Sequence, residues 1–463
     1  MRLVMKFGGT SVGDEQAIAK VVDLIKKSRE EGNEIAVVVS AMTKVTDQII
    51  TEAEGIISCT DKKNLDTFIR DLRERHLKAL RVVAPDLFDE VTAHIDLRLD
   101  RLKNILIAVN HLRELTPRSR DYIISFGEKL SAPIVSAALR QAGIPSFQIS
   151  GCDAGILTDG VHGAGTALPE SYPRIMERIG SHLGTEVPVI QGFAGCSHEG
   201  AVTTLGRSGS DYSAAIIGAG IEADDIIIWT DVDGVMTTDP RLIPEARVID
   251  SLSFLEMMEM SYFGAKVIHP RALLPAMEKN IPVHVKNTFN PTHPGTVVIK
   301  ESHADKRIVK AVSLIKNSCM ISISGFAAGR PGVAGEIFTT LAAAGVNVML
   351  ISQGSSEMNI SLIITDEQIK PANKALAEIK SKGCIREFSL EKDVSVVSVV
   401  GAGMAGTPGT LFRIFHGLGL AKINVMMLSQ GSEVNVSFVV KETDGIRAVR
   451  AIHEEYDLDK EEA

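Results

Sequence analysis

The chain has 463 residues, 45% of them hydrophobic and 23% charged, enough apolar surface for two or three domains with cores of their own. Its formal net charge of −9 and the absence of a long Lys/Arg block exclude a nucleic-acid or anionic-membrane field and point to small-molecule partners. Cys59, Cys152, Cys196, Cys319 and Cys384 are scattered without a C-x-x-C pair, so structural zinc and a disulfide framework are not expected and reduced thiols are.

The N-terminal "MRLVMKFGGTSVG" turns glycine-rich too soon for a signal peptide, and no run of about 18 apolar residues follows. A cytoplasmic protein with no membrane association is the expectation. Short β-branched runs at 2–7, 34–40, 187–191, 225–230 and 282–286 alternate with helical patterns, as in a parallel sheet covered by helices. Between the first two strands, Ala17, Ile18, Val21, Val22, Leu24 and Ile25 recur at helical spacing and Gly32 is a natural stop. Residues 44–142 read as a mainly helical, charged insertion covering one edge of a site.

Two prolines, a glycine and mixed charges in 289–306 place a domain boundary near residue 300, giving 1–300 and 301–463. Beyond it the chain repeats itself. "GVNVMLISQGSSEMNISLII" (345–364) returns as "KINVMMLSQGSEVNVSFVV" (422–440), so two modules, about 319–390 and 394–463, are expected, each with a ferredoxin-like βαββαβ order. The second lacks a last strand, and "RIVKAVSLI" (307–315) is the segment available to complete it. "VVGAGMAGTPG" (399–409) spaces glycines as a dinucleotide loop would, but no Asp or Glu follows in 420–430 to hold a ribose, and its counterpart at 325–335 lacks the pattern. It reads as a repeated loop before a helix.

The better phosphate site is "VMKFGGTS" (4–11), where a strand ends in Lys6 and Gly8 and Gly9 follow with backbone N–H groups open to approach. Alone, it is equally a plain strand-end turn. It is accompanied, in order, by "SAMTKVT" (40–46), "SFGEKLS" (125–131), "TTLGRSGSDYSAA" (203–215), "WTDVDGVMTTDPR" (229–241) and "YFGAKVIHP" (262–270). At these residues the sequence resembles the aspartate kinases, a branch of the amino acid kinase family, over nearly its whole length. The C-terminal modules resemble the tandem ACT domains that sense amino acids in those enzymes. The resemblance implies an α/β fold, a mainly parallel sheet sandwiched by helices, followed by two ACT domains.

Phosphoryl transfer to a carboxylate needs cations around the migrating group and an in-line acceptor. Arg207 can form a bidentate pair with a carboxylate, and Asp211 can hold an ammonium. The resemblance makes Lys6, Lys266 and Asp211 catalytic, with Gly8, Gly9, Thr10 and Ser11 along the phosphates and Thr230, Asp231, Met236, Arg241 and Val267 on the nucleotide side. It places Ser40, Thr46, Glu128, Arg207, Ser210 and Asp211 around aspartate. By spacing alone Asp211 is as good a helix cap, Glu128 a solvated helix charge, and Lys266 a surface lysine. Met236 stands where similar enzymes carry Tyr, and Ser208 replaces a Gly of their G-R-G-G-S-D pattern, where a Cβ restricts positive φ. Asp211, Asp231 and Asp233 could touch magnesium, but Mg²⁺ is expected to arrive with ATP, and no permanent metal site is expected.

The expected reaction is attack of the L-aspartate β-carboxylate on the γ-phosphate of ATP. The rivals are a kinase acting on glutamate or an N-acylated amino acid, and an amino-acid sensor without catalysis. A fused homoserine dehydrogenase is not expected, because nothing after the second module could hold one. A homodimer or higher homo-oligomer is the base case for ACT-like sheet edges. The effector site is expected at Asn347, Val348 and Gln353 with Asn424, Val425 and Gln430. Lysine-inhibited relatives carry Asp where this chain has Met349, and Glu357 is the one substitute nearby, so threonine is favoured over lysine.

Overall fold

The computed structural model describes residues 1–58, 63–263, 268–301, 307–325, 332–354, 359–404 and 406–460. The chain forms two compact units, Met1–Val235 with Asp250–Phe254 and Val267–Ser302, and Met236–Ile249 with Leu255–Lys266 and His303–Ala463. Two stretches from before residue 300 thus belong with the C-terminal part, for a packing reason. Ile243 lies in one apolar core with Val397, Val399 and Phe438, Phe263 lies in another with Met320 and Leu350, and the Val312 N–H donates to Thr237 O at 2.8 Å.

In the first unit, strands β1 (Arg2–Phe7), β2 (Glu34–Val39), β3 (Ser146–Ser150), β4 (Val187–Gln191), β5 (Ala194–Cys196), β6 (Val202–Thr204), β7 (Asp225–Thr230), β8 (Ser251–Ser253), β9 (Val283–Asn287) and β10 (Thr296–Ile299) carry the architecture. Eight of them form one sheet in the order β3-β4-β2-β1-β7-β9-β10-β8, parallel apart from the β9/β10 pair, while β5 and β6 pair separately. The central strands β1 and β2 are buried on both faces, which is why they read as unbroken apolar runs.

Helix α1 (Glu15–Glu30) starts at Asp14, whose side chain accepts from the Ala17 N–H at 2.9 Å, and stops before Gly32 at φ 84°. The described part of the insertion is mainly helical, with α2 (Val45–Gly55), α3 (Lys63–Val83), α4 (Phe88–Leu112), α5 (Pro117–Ile124) and α6 (Phe126–Gln141). Helices α7 (Gly151–Ala154) and α8 (Ser171–Ile179) follow β3, and α9 (Gly209–Gly220), buried along its whole length, precedes β7. After α10 (Phe254–Tyr262), α11 (Pro270–Lys279) leads into β9.

The second unit runs β11 (Ala311–Ser324), α12 (Val333–Ala343), β12 (Leu350–Gln353), β13 (Asn359–Thr365), α13 (Ile369–Ser381), β14 (Glu387–Val400), α14 (Thr410–Leu420), β15 (Met427–Ser432), β16 (Asn435–Lys441) and α15 (Glu442–Glu455). Its antiparallel sheet has the order β12-β13-β11-β14-β16-β15. The later part of β11, Ser318–Ser324, pairs with β13 and with the start of β14, whereas Ala311–Ile315 pairs with Val396–Val400. Each βαββαβ module therefore has four strands, and two long strands are shared where the sequence reads four short ones. Asn317 at φ 55° and Asp393 at φ 58° lie where each long strand passes between modules, beside the register shifts. Gly401 has a packing role: a Cβ there would collide with the Ile308 carbonyl oxygen, so this spacing serves a close backbone crossing.

The expectation of reduced cysteines is overturned. Cys152 and Cys196 are joined in a disulfide, with Cα atoms 5.1 Å apart, rather than left as reduced thiols. The sequence separation of 44 residues hides their proximity. The chain leaves β3 into α7 beside the place where β5 runs back from β4, and Gly151 passes so close to Ala194 that a Cβ would strike its carbonyl. No helix among the described residues is long and apolar enough to cross a membrane.

Candidate active site

Parallel strands β1, β2 and β7 end at the same edge of the sheet, the place where open α/β sheets collect ligands. A cavity of about 740 Å³ opens there in the first unit, and Lys6, Gly9, Ser40, Thr46, Glu128, Arg207, Ser210 and Asp211 all line it. Residues far apart in the chain reach it for local reasons. Lys6 is the next-to-last residue of β1. Glu128 sits in the first turn of α6, which approaches the 40–46 loop closely enough that a Cβ on Gly127 would strike the Ala41 side chain.

Asp211 is not the cap of α9, whose N-cap is Ser208 without a side-chain hydrogen bond. Its Oδ1 meets the Lys6 ammonium at 2.5 Å and accepts from no other described group. Both side chains are about nine-tenths buried. Arg207 is exposed on the cavity wall. Glu128 Oε1 accepts from the Ala41 N–H at 3.1 Å, while its buried Oε2 has no hydrogen-bond partner. Burial pushes the Glu128 carboxyl up to about 8, against weaker lowering by the Ala41 N–H and by nearby Lys129 and Lys6.

That shift fixes a sign. Between the ordinary carboxyl range and pH 8 the folded chain keeps a proton that the unfolded chain releases, so stability falls as pH rises through this window. Glu128→Gln is expected to remove this slope, on the order of a few kcal/mol in all. The check is the shift in unfolding midpoint between pH 5 and pH 8, which should shrink in the variant. An equal shift in both proteins would place the titration elsewhere.

Three cavity residues that are not glycine hold positive φ: Lys44 at 62°, Phe193 at 72° and Ser208 at 53°. Ser208 therefore does adopt the conformation its Cβ disfavours, at a cost of about 1–2 kcal/mol. Phe193 is held there by its N–H to Ser213 Oγ at 2.9 Å and by its carbonyl accepting the Leu205 N–H at 2.8 Å. Phe193 carries no signal of this in the sequence, where "IQGFAG" reads as an ordinary strand-end turn.

The other described candidates are not among the residues lining this cavity. The Gly8 N–H, expected on a phosphate, donates instead to Trp229 O at 3.0 Å. Ser11 is buried, its hydroxyl 2.7 Å from Thr288 Oγ1 and 3.3 Å from Trp229 O. Thr10 follows in the same loop, where its carbonyl accepts from the Gly13 N–H at 3.3 Å. Thr230 Oγ1 donates to Asp231 at 3.2 Å at the end of β7. Asp233 accepts from Asn287 and Asn290, and the Asn287 bond foremost holds its carboxyl below the usual range. Met236, bridged to Val248, and Arg241, paired with Asp239 at 2.7 Å, fall in the second unit. Lys266, Val267 and Glu357 lie outside the described residues. No group of three His, Cys, Asp or Glu among the described residues could hold a metal ion.

In the second unit, Val348 and Val425 pack against the two module cores, and Gln353 and Gln430 are exposed on the edge strands. Those edge strands approach each other, with Ser429 Oγ 3.5 Å from Ile351 O. Asn424 is exposed. The Asn347 backbone is already engaged: the Gln368 amide, oriented by the network, accepts its N–H at 3.0 Å and donates to its carbonyl at 2.9 Å. Met349 packs into the apolar cluster around Leu350 and Met320.

Comparison with known proteins follows the same division. Residues 1–287 match the amino acid kinase family, and residues 321–379 and 397–456 each match the ACT domain. Aspartokinase 1, chloroplastic, of Arabidopsis thaliana is 34% identical over 464 residues, covering 98% of this chain and 80% of that protein. Bifunctional aspartokinase/homoserine dehydrogenase 1, chloroplastic, of Zea mays is 34% identical over 474 residues, covering 99% of this chain and 50% of the relative. The chain spans about half the length of the bifunctional plant relatives it matches. Among solved structures, E. coli aspartokinase III in complex with aspartate and ADP superposes with a TM-score of 0.82 at 26% identity, covering 98% of this chain and 99% of that one.

Proposed function

We propose, because the chain belongs to the amino acid kinase family and to its aspartokinase branch, that it transfers the γ-phosphoryl group of ATP to the β-carboxylate of L-aspartate, giving 4-phospho-L-aspartate and ADP. The observation that carries this reading is the convergence of Lys6, Glu128, Arg207 and Asp211 on one cavity. Arg207 supplies a planar fork for a substrate carboxylate. Glu128 Oε2, buried without a partner, calls for a donor, and an α-ammonium is a donor whose charge would draw the carboxyl back to its ionised form. Lys6, held by Asp211, stands where charge on the migrating phosphoryl must be neutralised.

The nucleotide enters as MgATP, the metal arriving with its phosphates, and Thr230 and Asp231 at the end of β7 are the nucleotide-side residues assigned in the first unit. Catalysis is assigned to residues 1–300 and regulation to 301–463, in a cytoplasmic homodimer or higher oligomer serving lysine, threonine and methionine synthesis. ADP release measured with aspartate, glutamate and N-acetylated amino acids tests the reaction. Release with aspartate far above the others is the expected outcome, and none with aspartate sinks the reading.

Threonine is the proposed effector, supported by the apolar setting of Met349, which offers no counter-charge to a lysine ε-ammonium. An inhibition series at saturating ATP is expected to show threonine weakening effective affinity about 5- to 150-fold. Strong lysine inhibition without a threonine response would move the assignment to Glu357.

A further inference from the structure

We propose that Asp121 is a positioning residue for the acceptor side of the cavity, one that no motif in the sequence marks. The proposal rests on reading that cavity as an aspartate site. Asp121 lies on α5, beside cavity-lining Arg120, and is only 1% exposed. Its carboxylate gathers donors from two loops. The Gly163 N–H reaches Oδ2 at 2.9 Å and Oδ1 at 3.1 Å, the Thr204 N–H reaches Oδ2 at 3.0 Å, and the Thr204 hydroxyl donates to Oδ1 at 2.6 Å. His162 Nδ1 is 3.0 Å from Oδ2.

Gly163 and Thr204 both line the cavity, so this buried carboxylate stitches its wall together from behind. Thr204 is three residues before Arg207. Gly206, between them, turns at φ 79° against the Gly163 carbonyl, which a Cβ would meet at 3.2 Å. A shift of either loop therefore carries the Arg207 guanidinium with it.

A cation completes the clamp on the same loop. Arg271 Nη2 donates to the Ala164 and Gly165 carbonyls at 3.0 and 2.9 Å, and the Gly165 N–H donates to Thr204 O at 2.9 Å. The Gly163 and Thr204 amide hydrogens are thus held by an anion and the Ala164 and Gly165 carbonyls by a cation. Only an ionised carboxylate accepts on both oxygens without presenting a donor. In Asp121→Asn the amide nitrogen would face the N–H of Gly163 or Thr204 and push the loops apart.

Steady-state kinetics of the full chain test this. Asp121→Asn is expected to raise the KM for aspartate about 10-fold or more while the KM for ATP stays within about 2-fold, since misplacing a clamp by an ångström is costly. A merely structural role would lower the active fraction, and with it kcat, leaving both KM values unmoved, and would overturn the proposal. Thr204→Val, which loses the hydroxyl but keeps the N–H, should raise the same KM by less. It decides the matter if Asp121→Asn does not fold, because an unchanged aspartate KM there overturns the proposal too. A wild-type chain that does not phosphorylate aspartate overturns the underlying reading, which is a separate and recognisable result.

Discussion

Lys6→Ala is expected to lower kcat by about 10² or more, the scale for removing one preorganised electrostatic donor. Lys6 and Asp211 form a buried pair at 2.5 Å, so truncating the lysine also strands a buried carboxylate. Breaking such a pair from one side costs about 3–5 kcal/mol. Loss of turnover could then reflect loss of fold, and the double variant Lys6→Ala/Asp211→Asn separates the two. It should regain thermal stability by removing the uncompensated charge while kcat stays low, with Asp211→Asn alone as the control for the share of the loss that belongs to Asp211 itself. Near-normal turnover in either folded variant would show that Lys6 does not face the transferred group.

Arg207→Ala carries the second large effect. Hydrogen bonds to charged groups contribute about 1.5–3 kcal/mol, so the KM for aspartate should rise roughly 10- to 100-fold. The exposure of Arg207 on the cavity wall predicts little change in melting temperature, because substitutions at exposed positions usually fall within about ±0.5 kcal/mol. The KM for ATP should hardly move. A variant that saturates with aspartate at the wild-type concentration would place the acceptor clamp elsewhere.

The strands of the first unit were legible because strands buried on both faces leave unbroken apolar runs, and β1, β4 and β7 have the bounds the sequence suggests. Lys6, Glu128 and Arg207 could be read because each lies in a motif beside an element boundary. Their convergence came from resemblance, not from spacing. What stayed hidden depends on partners remote in sequence. The burial of Ile243 is decided by Val397 and Phe438, and the pairing of Cys152 by a return of the chain after β4. Asp121 was invisible for a related reason: in "SRDYIISFGE" it reads as one more helix charge, and only the folded loops supply its donors. The bonds that Trp229 at the end of β7 and Thr288 just after β9 make to Gly8 and Ser11 were equally hidden, because no local pattern links those positions to the first strand.

The long shared strands of the second unit have a consequence for synthesis. Ala311–Ile315 emerges from the ribosome well before Val396–Val400, its partner in the sheet, and the whole first module must be made in between. The second module therefore closes last, over a long loop, which slows its completion and leaves an open strand edge on the nascent chain until then. No single cut separates the modules cleanly. Ending the chain after Asp393 removes the strand that Ala311–Ile315 pairs with, and beginning it at Ser318 removes the fourth strand of the second module. Expression of residues 394–460 alone should yield aggregating material, whereas an excised and religated order, opening at Val394 and closing with Ala311–Ile315 after α15, would restore an uninterrupted second module.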